Sequence, residues 1–283
     1  MLSVLPVTCF SRRQPPRRRD QGRRVVSTRI RGTPLVILAV SSTPAFEMNV
    51  VHRLVTDVEP CPYLRERSQQ LEMASVSEIS PAEYEAELAR GSRRFADTLF
   101  RPACPACREC IPLRVPLAAF QPSRSQRRVR RRNADVELEI GIPSVSDDRI
   151  ALYIAFHEDR HHRRGWPAPR MDAYEYFFTF VDNVVPTIEF RYRLSGRLVG
   201  IAYVDETPRS FNSIYAFFDP ELARRSLGTH DVLVEIEEAR RRGKDYLYLG
   251  YFVAGCLSME YKAGFRPCER LIDGEWALSP DVE

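Results

Sequence analysis

Asn212-Ser-Ile-Tyr-Ala-Phe-Phe-Asp-Pro220-Glu-Leu-Ala-Arg-Arg-Ser-Leu-Gly228-Thr-His-Asp231 is the stretch that decides the fold. It opens as a strand: Asn212 to Phe218 is rich in aromatic and β-branched residues. Asp219-Pro220 closes the strand, because proline has no N–H to give a sheet ladder. Arg224 to His230 form a glycine-containing loop, and Asp231 to Arg242 then reads as an amphipathic helix stopped by Gly243. A strand–loop–helix joint of this kind aims backbone N–H groups at an anion, aided by the helix dipole. The same residues also read as a plain capped helix with Thr229 as N-cap.

Working outward, Pro186 to Leu194 and Leu198 to Val204 are strands joined by the hairpin turn Ser195-Gly196. Asp148 to Phe156 and Ala173 to Val181 read as helices, Tyr246 to Tyr251 as a strand, and Leu257 to Ala263 as a short helix capped by Gly264. This order predicts an α+β domain over residues 146–275, a mixed, largely antiparallel sheet with packed helices, followed by a tail at 276–283. Residues 48–145 read as a smaller N-terminal, Cys-bearing domain. Its helix starts at Ser80-Pro-Ala-Glu83, where cap, first-turn proline and capping-box acid coincide. Phe95 to Phe100 is expected as one strand entering a Cys-rich loop and Leu113 to Leu117 as the strand leaving it. Val136 to Ile140 alternates with period two.

Length and composition bound the rest. The 283 residues suit one large domain or two modest ones, and 44% apolar with 28% charged residues exclude a wholly disordered chain. The formal charge of +4 is uneven: residues 1–47 hold nine Arg against Asp20 and Glu47, a net of +7, leaving −3 for the remainder. That first segment has prolines and arginines but no periodicity. It is read as an overextended gene start, with the biological start at Met48, ahead of a disordered basic arm or a targeting peptide. No apolar run approaches the roughly 18–20 residues that span a bilayer, so no membrane partner is expected. Seven cysteines, clustered and odd in number, point to reduced thiols and a cytoplasmic protein.

Two features carry chemistry. Cys104-Pro-Ala-Cys107-Arg-Glu-Cys110 is a pair of overlapping C-x-x-C units, to which Cys61 adds a fourth sulfur. Structural zinc, an iron–sulfur cluster or simple packing thiols all suit that spacing. Residues 123–133 hold six arginines, Arg124, Arg127, Arg128, Arg130, Arg131 and Arg132. Guanidinium forks pair with phosphate oxygens, so the block suits an RNA backbone; a solvated charged loop is the plainer alternative.

With these motifs in view the chain resembles the arginyl-tRNA–protein transferase family, most closely its bacterial branch. The resemblance is carried by Cys61-Pro-Tyr-Leu64, Arg101-Pro102 with the three clustered cysteines, Phe120 to Arg128 and Arg131-Arg-Asn133. It continues through Arg160-His161, Ser213-x-Tyr215-x-Phe217-Phe-Asp-Pro220, Ser226-Leu-Gly-Thr229, Tyr248-Leu-Gly-Tyr251 and Met259-x-Tyr261-Lys262-x-x-Phe265-x-Pro267. It covers about residues 50–270, in order. The eukaryotic form carries a second Cys in the first motif, and here Gly165-Trp-Pro167 stands where a Gly-Asp-Met-like stretch is expected. The resemblance implies an acyl-CoA acetyltransferase-like second domain. In that fold an Arg-x-x-Gly-x-Gly pattern holds a pyrophosphate; Arg225-Ser-Leu-Gly228 keeps the first part and His230 replaces the last glycine.

The resemblance further implies transfer of an amino acid, leucine in the bacterial branch, from aminoacyl-tRNA to proteins with N-terminal Asp or Glu, marking them for degradation by the N-degron route. The ester is already activated and the α-amine has a pKa of about 7.7–8.0, so positioning, a weak base and an oxyanion donor suffice, without a cofactor. On this basis Arg225, Gly228 and Thr229 are expected to hold the tRNA 3′ end, and His230 or Tyr251 to stand near the ester. Arg160 or Lys262 is expected to pair with the acceptor's carboxylate. Tyr251 and Tyr261 read equally as aromatic core, and His157 and His162 as surface residues. The alternatives are arginyl-tRNA as donor, an acetyl-CoA-dependent N-acetyltransferase, and a non-catalytic RNA-binding module with a zinc knuckle.

Overall fold

Fourteen strands among the described residues build a four-stranded sheet, an eight-stranded sheet and a two-stranded pair of Glu59–Pro60 with Ser68–Gln69. The computed structural model describes residues 48–279; expectations for residues 1–47, the start at Met48 among them, concern residues outside that range. The first half supplies β1 (Asn49–Val55), β2 (Glu59–Pro60), β3 (Ser68–Gln69), β4 (Leu71–Glu78), β5 (Arg93–Phe95), β6 (Thr98–Pro102), β7 (Ile111–Pro116) and β8 (Val136–Gly141). The second supplies β9 (Thr187–Leu194), β10 (Arg197–Glu206), β11 (Ser210–Phe218), β12 (Tyr246–Phe252), β13 (Glu269–Ile272) and β14 (Glu275–Leu278). A four-stranded sheet runs β1-β4-β6-β5, and an eight-stranded sheet runs β14-β13-β7-β12-β11-β10-β9-β8. β7 and β8 come from the stretch before residue 145, so that stretch contributes to both sheets. Residues 276–278, expected in the tail, belong to β14 and pair with β13.

Every neighbouring pair in the large sheet is antiparallel except β11 and β12, which run parallel because a helix connects them. They pair only over Ser210–Asn212 and Tyr246–Tyr248 and then part. The connecting helix α5 (Leu227–Arg241) packs Val232, Leu233, Ile236 and Ala239 on one face of the sheet. The opposite face is covered by α3 (Asp147–Arg164) and α4 (Ala173–Tyr176), the latter running on as one π-helical turn to Val181. Burial on both faces explains why β10 is buried from Leu198 to Asp205.

The two sheets meet through α1 (Pro81–Ala89) and a buried polar knot. Tyr84 Oη donates to Asp205 (2.7 Å), Arg94 Nε donates to the same carboxylate (3.0 Å) and Thr187 Oγ1 donates to its other oxygen (2.7 Å). Leu88, Leu99, Val185 and Tyr248 close apolar contacts around it.

Three local expectations need correction. The single strand over Phe95–Phe100 is a hairpin, because Ala96 takes a left-handed turn (φ 51°) between β5 and β6. The arginine block is a helix, α2 (Arg124–Arg132), started by a capping box in which Ser123 and Gln126 satisfy each other's N–H. α5 begins four residues before Asp231 and Thr229 does not cap it. Ser226 turns the chain (φ 58°) and its carbonyl accepts from Thr229 and His230 N–H (3.0 and 3.1 Å). The remaining short helix, α6 (Leu257–Glu260), leads into a 3-10 turn at Tyr261–Gly264.

Candidate active site

Where β11 and β12 part, they leave a cavity of about 200 Å³. Openings of this kind, beyond the carboxyl ends of parallel strands, are where α/β folds bind ligands. Its walls include Ser213 to Ala216 of β11, Leu249 to Tyr251 of β12, Gly228 and Asp231 of α5, and Lys262. Tyr63, from the Cys61-Pro-Tyr-Leu motif, and Arg93, from β5, reach it from the first half of the chain.

The cations are unusual. Arg93 is buried; its Nη2 donates to the Ser213 carbonyl (2.8 Å) while Nη1 has no partner. Lys262 is 4% exposed and its Nζ donates only to the Tyr251 carbonyl (3.3 Å) and the Met259 sulfur (3.7 Å). Burial, reinforced by Arg93, pushes the Lys262 amine down to about 7. Gly250 makes this proximity possible: a Cβ there would stand 3.2 Å from Lys262 Nζ and 3.5 Å from Arg93 Nη2. Arg160 completes the set. It stacks on the Phe156 ring (3.6 Å), pairs with Asp159 (2.9 Å) and leaves Nε unpartnered.

The acids come from α5. Asp231 lines the cavity and accepts from Tyr192 Oη (2.6 Å); Glu235, one turn on, is wholly buried and accepts from Ser213 Oγ (3.1 Å). Burial raises both carboxyls, and the Asp231 charge raises Glu235 further.

Arg160, Gly228, Tyr251 and Lys262 therefore meet in one cavity, as expected of a shared site. The others do not join them. Arg225 is engaged on the outer side, forked onto Asp135 (2.7 and 2.9 Å), so the phosphate-pattern arginine does not face the cavity. His230 and Thr229 are outside the lining set. Successive helical residues point about 100° apart, so the face that brings Asp231 inward turns His230 toward α2, with its imidazole held down to about 4 by burial and Arg130. Tyr251 is held by its Oη donating to the Gly91 carbonyl (3.0 Å), and burial raises its phenol, which keeps its proton.

His157, expected at the surface, is buried. Its Nδ1 meets the Tyr153 carbonyl (2.8 Å) and its Nε2 meets Tyr215 Oη (2.6 Å), fixing the cavity wall from behind. His162 is exposed as expected.

All six α2 arginines are exposed. Arg130 pairs with Glu237 of α5, Arg132 donates to the Arg224 carbonyl, and Asn133 Nδ2 donates to the Arg225 carbonyl (2.9 Å). Among the described residues Arg124, Arg128 and Arg131 have no side-chain partner. The basic face is thus docked onto the loop that delivers Gly228.

The sulfurs make separate local contacts. Cys104 donates to the Gln70 carbonyl (3.7 Å) and Cys61 accepts from Leu64 N–H (3.5 Å). Burial, with the neighbouring sulfurs adding to it, pushes the Cys110 thiol up to about 12. Among the described residues no three His, Cys, Asp or Glu side chains are gathered as a metal would need. No described helix is long and apolar enough to cross a membrane.

Residues 59–128 match the family described as "Arginine-tRNA-protein transferase, N terminus", and residues 148–272 match its "C terminus" counterpart. The chain is 38% identical to the aspartate/glutamate leucyltransferase of Aeromonas hydrophila, covering 86% of this chain and 96% of that one. It is 36% identical to the enzyme of the same name from Pseudomonas fluorescens, covering 79% and 94%. Among solved structures, L-PGS from Bacillus licheniformis overlaps 65% of this chain and 54% of its own at 10% identity, with a TM-score of 0.41.

Proposed function

Since the chain belongs to the arginine-tRNA-protein transferase family, we propose that it transfers leucine from leucyl-tRNA to the N-terminal Asp or Glu of proteins, marking them for degradation. The observation that carries the reading is the cavity's cationic lining. Arg93, Lys262 and Arg160 lie in one pocket with hydrogen-bonding capacity left over, which suits an acceptor that brings a carboxylate. Arg93 was not among the residues expected from sequence. The exposed α2 arginines suit the tRNA backbone, and their docking on the Pro220–Arg225 turn ties that contact to the α5 N-terminus.

The chemistry asks little of the protein. The acceptor amine attacks the ester carbonyl carbon, the C–N bond forms, and the ribose oxygen leaves with a proton. Holding both substrates supplies several kcal/mol, up to about 7–11 in favourable cases. The curated relatives' name favours leucine as donor, and a leucyl side chain needs only apolar lining. The test is a transfer assay in which Asp-, Glu- and Lys-initiated peptides are offered leucyl- and arginyl-tRNA. Leucine should reach the Asp and Glu peptides alone; transfer to neither from either donor overturns the reading.

A further inference from the structure

We propose that Asp231 is the catalytic group that receives the acceptor's α-ammonium, orients it beside the ester and takes its proton. The inference rests on the acceptor reading above and adds a residue that it does not require.

The cavity holds charges of both signs that do not pair with one another. Among the described residues neither Asp231 nor Glu235 makes an ion pair, and neither does Arg93 or Lys262. Three atoms are left over around the cavity: among the described residues Arg93 Nη1, Arg160 Nε and Glu235 Oε2 are buried with no partner. Burying unpaired charge is costly, and a fold sustains it where a ligand brings the missing counter-charges. An N-terminal Asp or Glu does so. Its side-chain carboxylate answers Arg93 and Lys262, and its α-ammonium answers the acid side. Asp231 is the acid that reaches the cavity; Glu235 lies behind it, tied to Ser213.

Asp231 is positioned for the task. It stands in the first turns of α5, and one carboxylate oxygen is fixed by Tyr192 from β9. The groups around it are Tyr192, Tyr261 from the turn after α6, and Glu235 on its own helix, with Arg93, Lys262 and Arg160 on the other cavity walls. Burial raises its affinity for protons into the range of an α-amine, the match that general-base transfer favours. The steps balance. The ammonium gives one proton to the Asp231 carboxylate, and the neutral nitrogen adds to the ester carbon. The C–O bond to ribose breaks, the nitrogen's second proton goes to the ribose oxygen, and Asp231 returns its proton to solvent.

Asp231→Asn keeps an acceptor for Tyr192 and removes the base. Against an Asp-initiated peptide, kcat/KM should fall about a hundredfold at pH 6.5, the usual scale of a lost general base. The ratio of wild type to variant should shrink toward pH 9, because the peptide amine then deprotonates itself. KM for leucyl-tRNA should stay within about twofold, since the tRNA contacts are untouched. A pH-independent ratio, or a defect confined to leucyl-tRNA or to arginyl-tRNA use, would assign Asp231 a structural or donor-side role and overturn the proposal. Binding gives a readout independent of turnover. Without any tRNA, the wild-type chain should prefer a free-amine Asp peptide over its Nα-acetyl form by at least about tenfold, the scale of one charged hydrogen bond, and the variant should lose that preference. Equal binding of the two peptides by the wild type sinks the proposal, whereas absence of transfer despite that preference sinks only the leucyl-transfer reading.

Discussion

Gly250 shows how much one backbone position decides. Its φ of 89° lies in the left-handed region, and the space a Cβ would need is held by Lys262 and Arg93. Gly250→Ala should cost about 1–2 kcal/mol for the conformation alone, read as a lower midpoint in urea, and should raise KM for the Asp peptide. An unchanged midpoint with unchanged KM contradicts the packing described. Lys262 makes a separate prediction through pH. Its folded value, about 7, lies below the unfolded value of about 10.4, so the fold prefers the neutral amine. Between those values the unfolded chain binds more protons, and stability should rise as pH climbs through that window. Thermal midpoints taken from pH 7 to 9.5 should climb more steeply for wild type than for Lys262→Met, and parallel curves would refute the assignment.

At the scale of elements, α2 is where sequence and function lie closest. Six arginines between Ser123 and Asn133 were legible as a phosphate-binding surface from density alone, whereas the helix was not read, although Ser123 and Gln126 held its capping-box signal. Replacing Arg124, Arg128 and Arg131 together by Gln should lower the slope of log affinity for leucyl-tRNA against log salt by about 2–3, with peptide KM unmoved. A slope equal to wild type would remove α2 from the tRNA surface. The strand–loop–helix joint was equally readable, and with it Gly228, whereas Tyr251 and Lys262 came into view only through the family resemblance. What escaped was anything decided by which way a helix face turns. His230 looked catalytic beside Gly228, yet the inward residue is its neighbour Asp231. The Asp231 and Glu235 spacing of four held that signal, as two acids stacked on the face that also carries the apolar residues of α5. Arg93 gave no local sign, since only the packing of β5 against the splayed strands brings it to the site.

On the scale of the molecule, the knot at Asp205 joins what the two halves of the chain contribute. Arg94 and Tyr84 come from the small sheet and its helix, Asp205 and Thr187 from the large one, and all are buried or nearly so. Asp205→Asn leaves the Arg94 guanidinium buried without its counter-charge, and should cost about 3–5 kcal/mol in equilibrium unfolding. A loss under about 1 kcal/mol would mean that the sheets are held by their apolar contacts alone. β7 has a consequence of a different kind. It sits between β13 and β12, both of which follow it by more than half the described chain. During synthesis it leaves the ribosome with both edges bare, and neither neighbour exists until translation has passed Tyr246 and then Glu269. The β12-β7-β13-β14 end of the large sheet is therefore completed only late in translation, after β8 to β11. A ribosome that stalls before Tyr246 releases a chain whose central strand has nothing to close against.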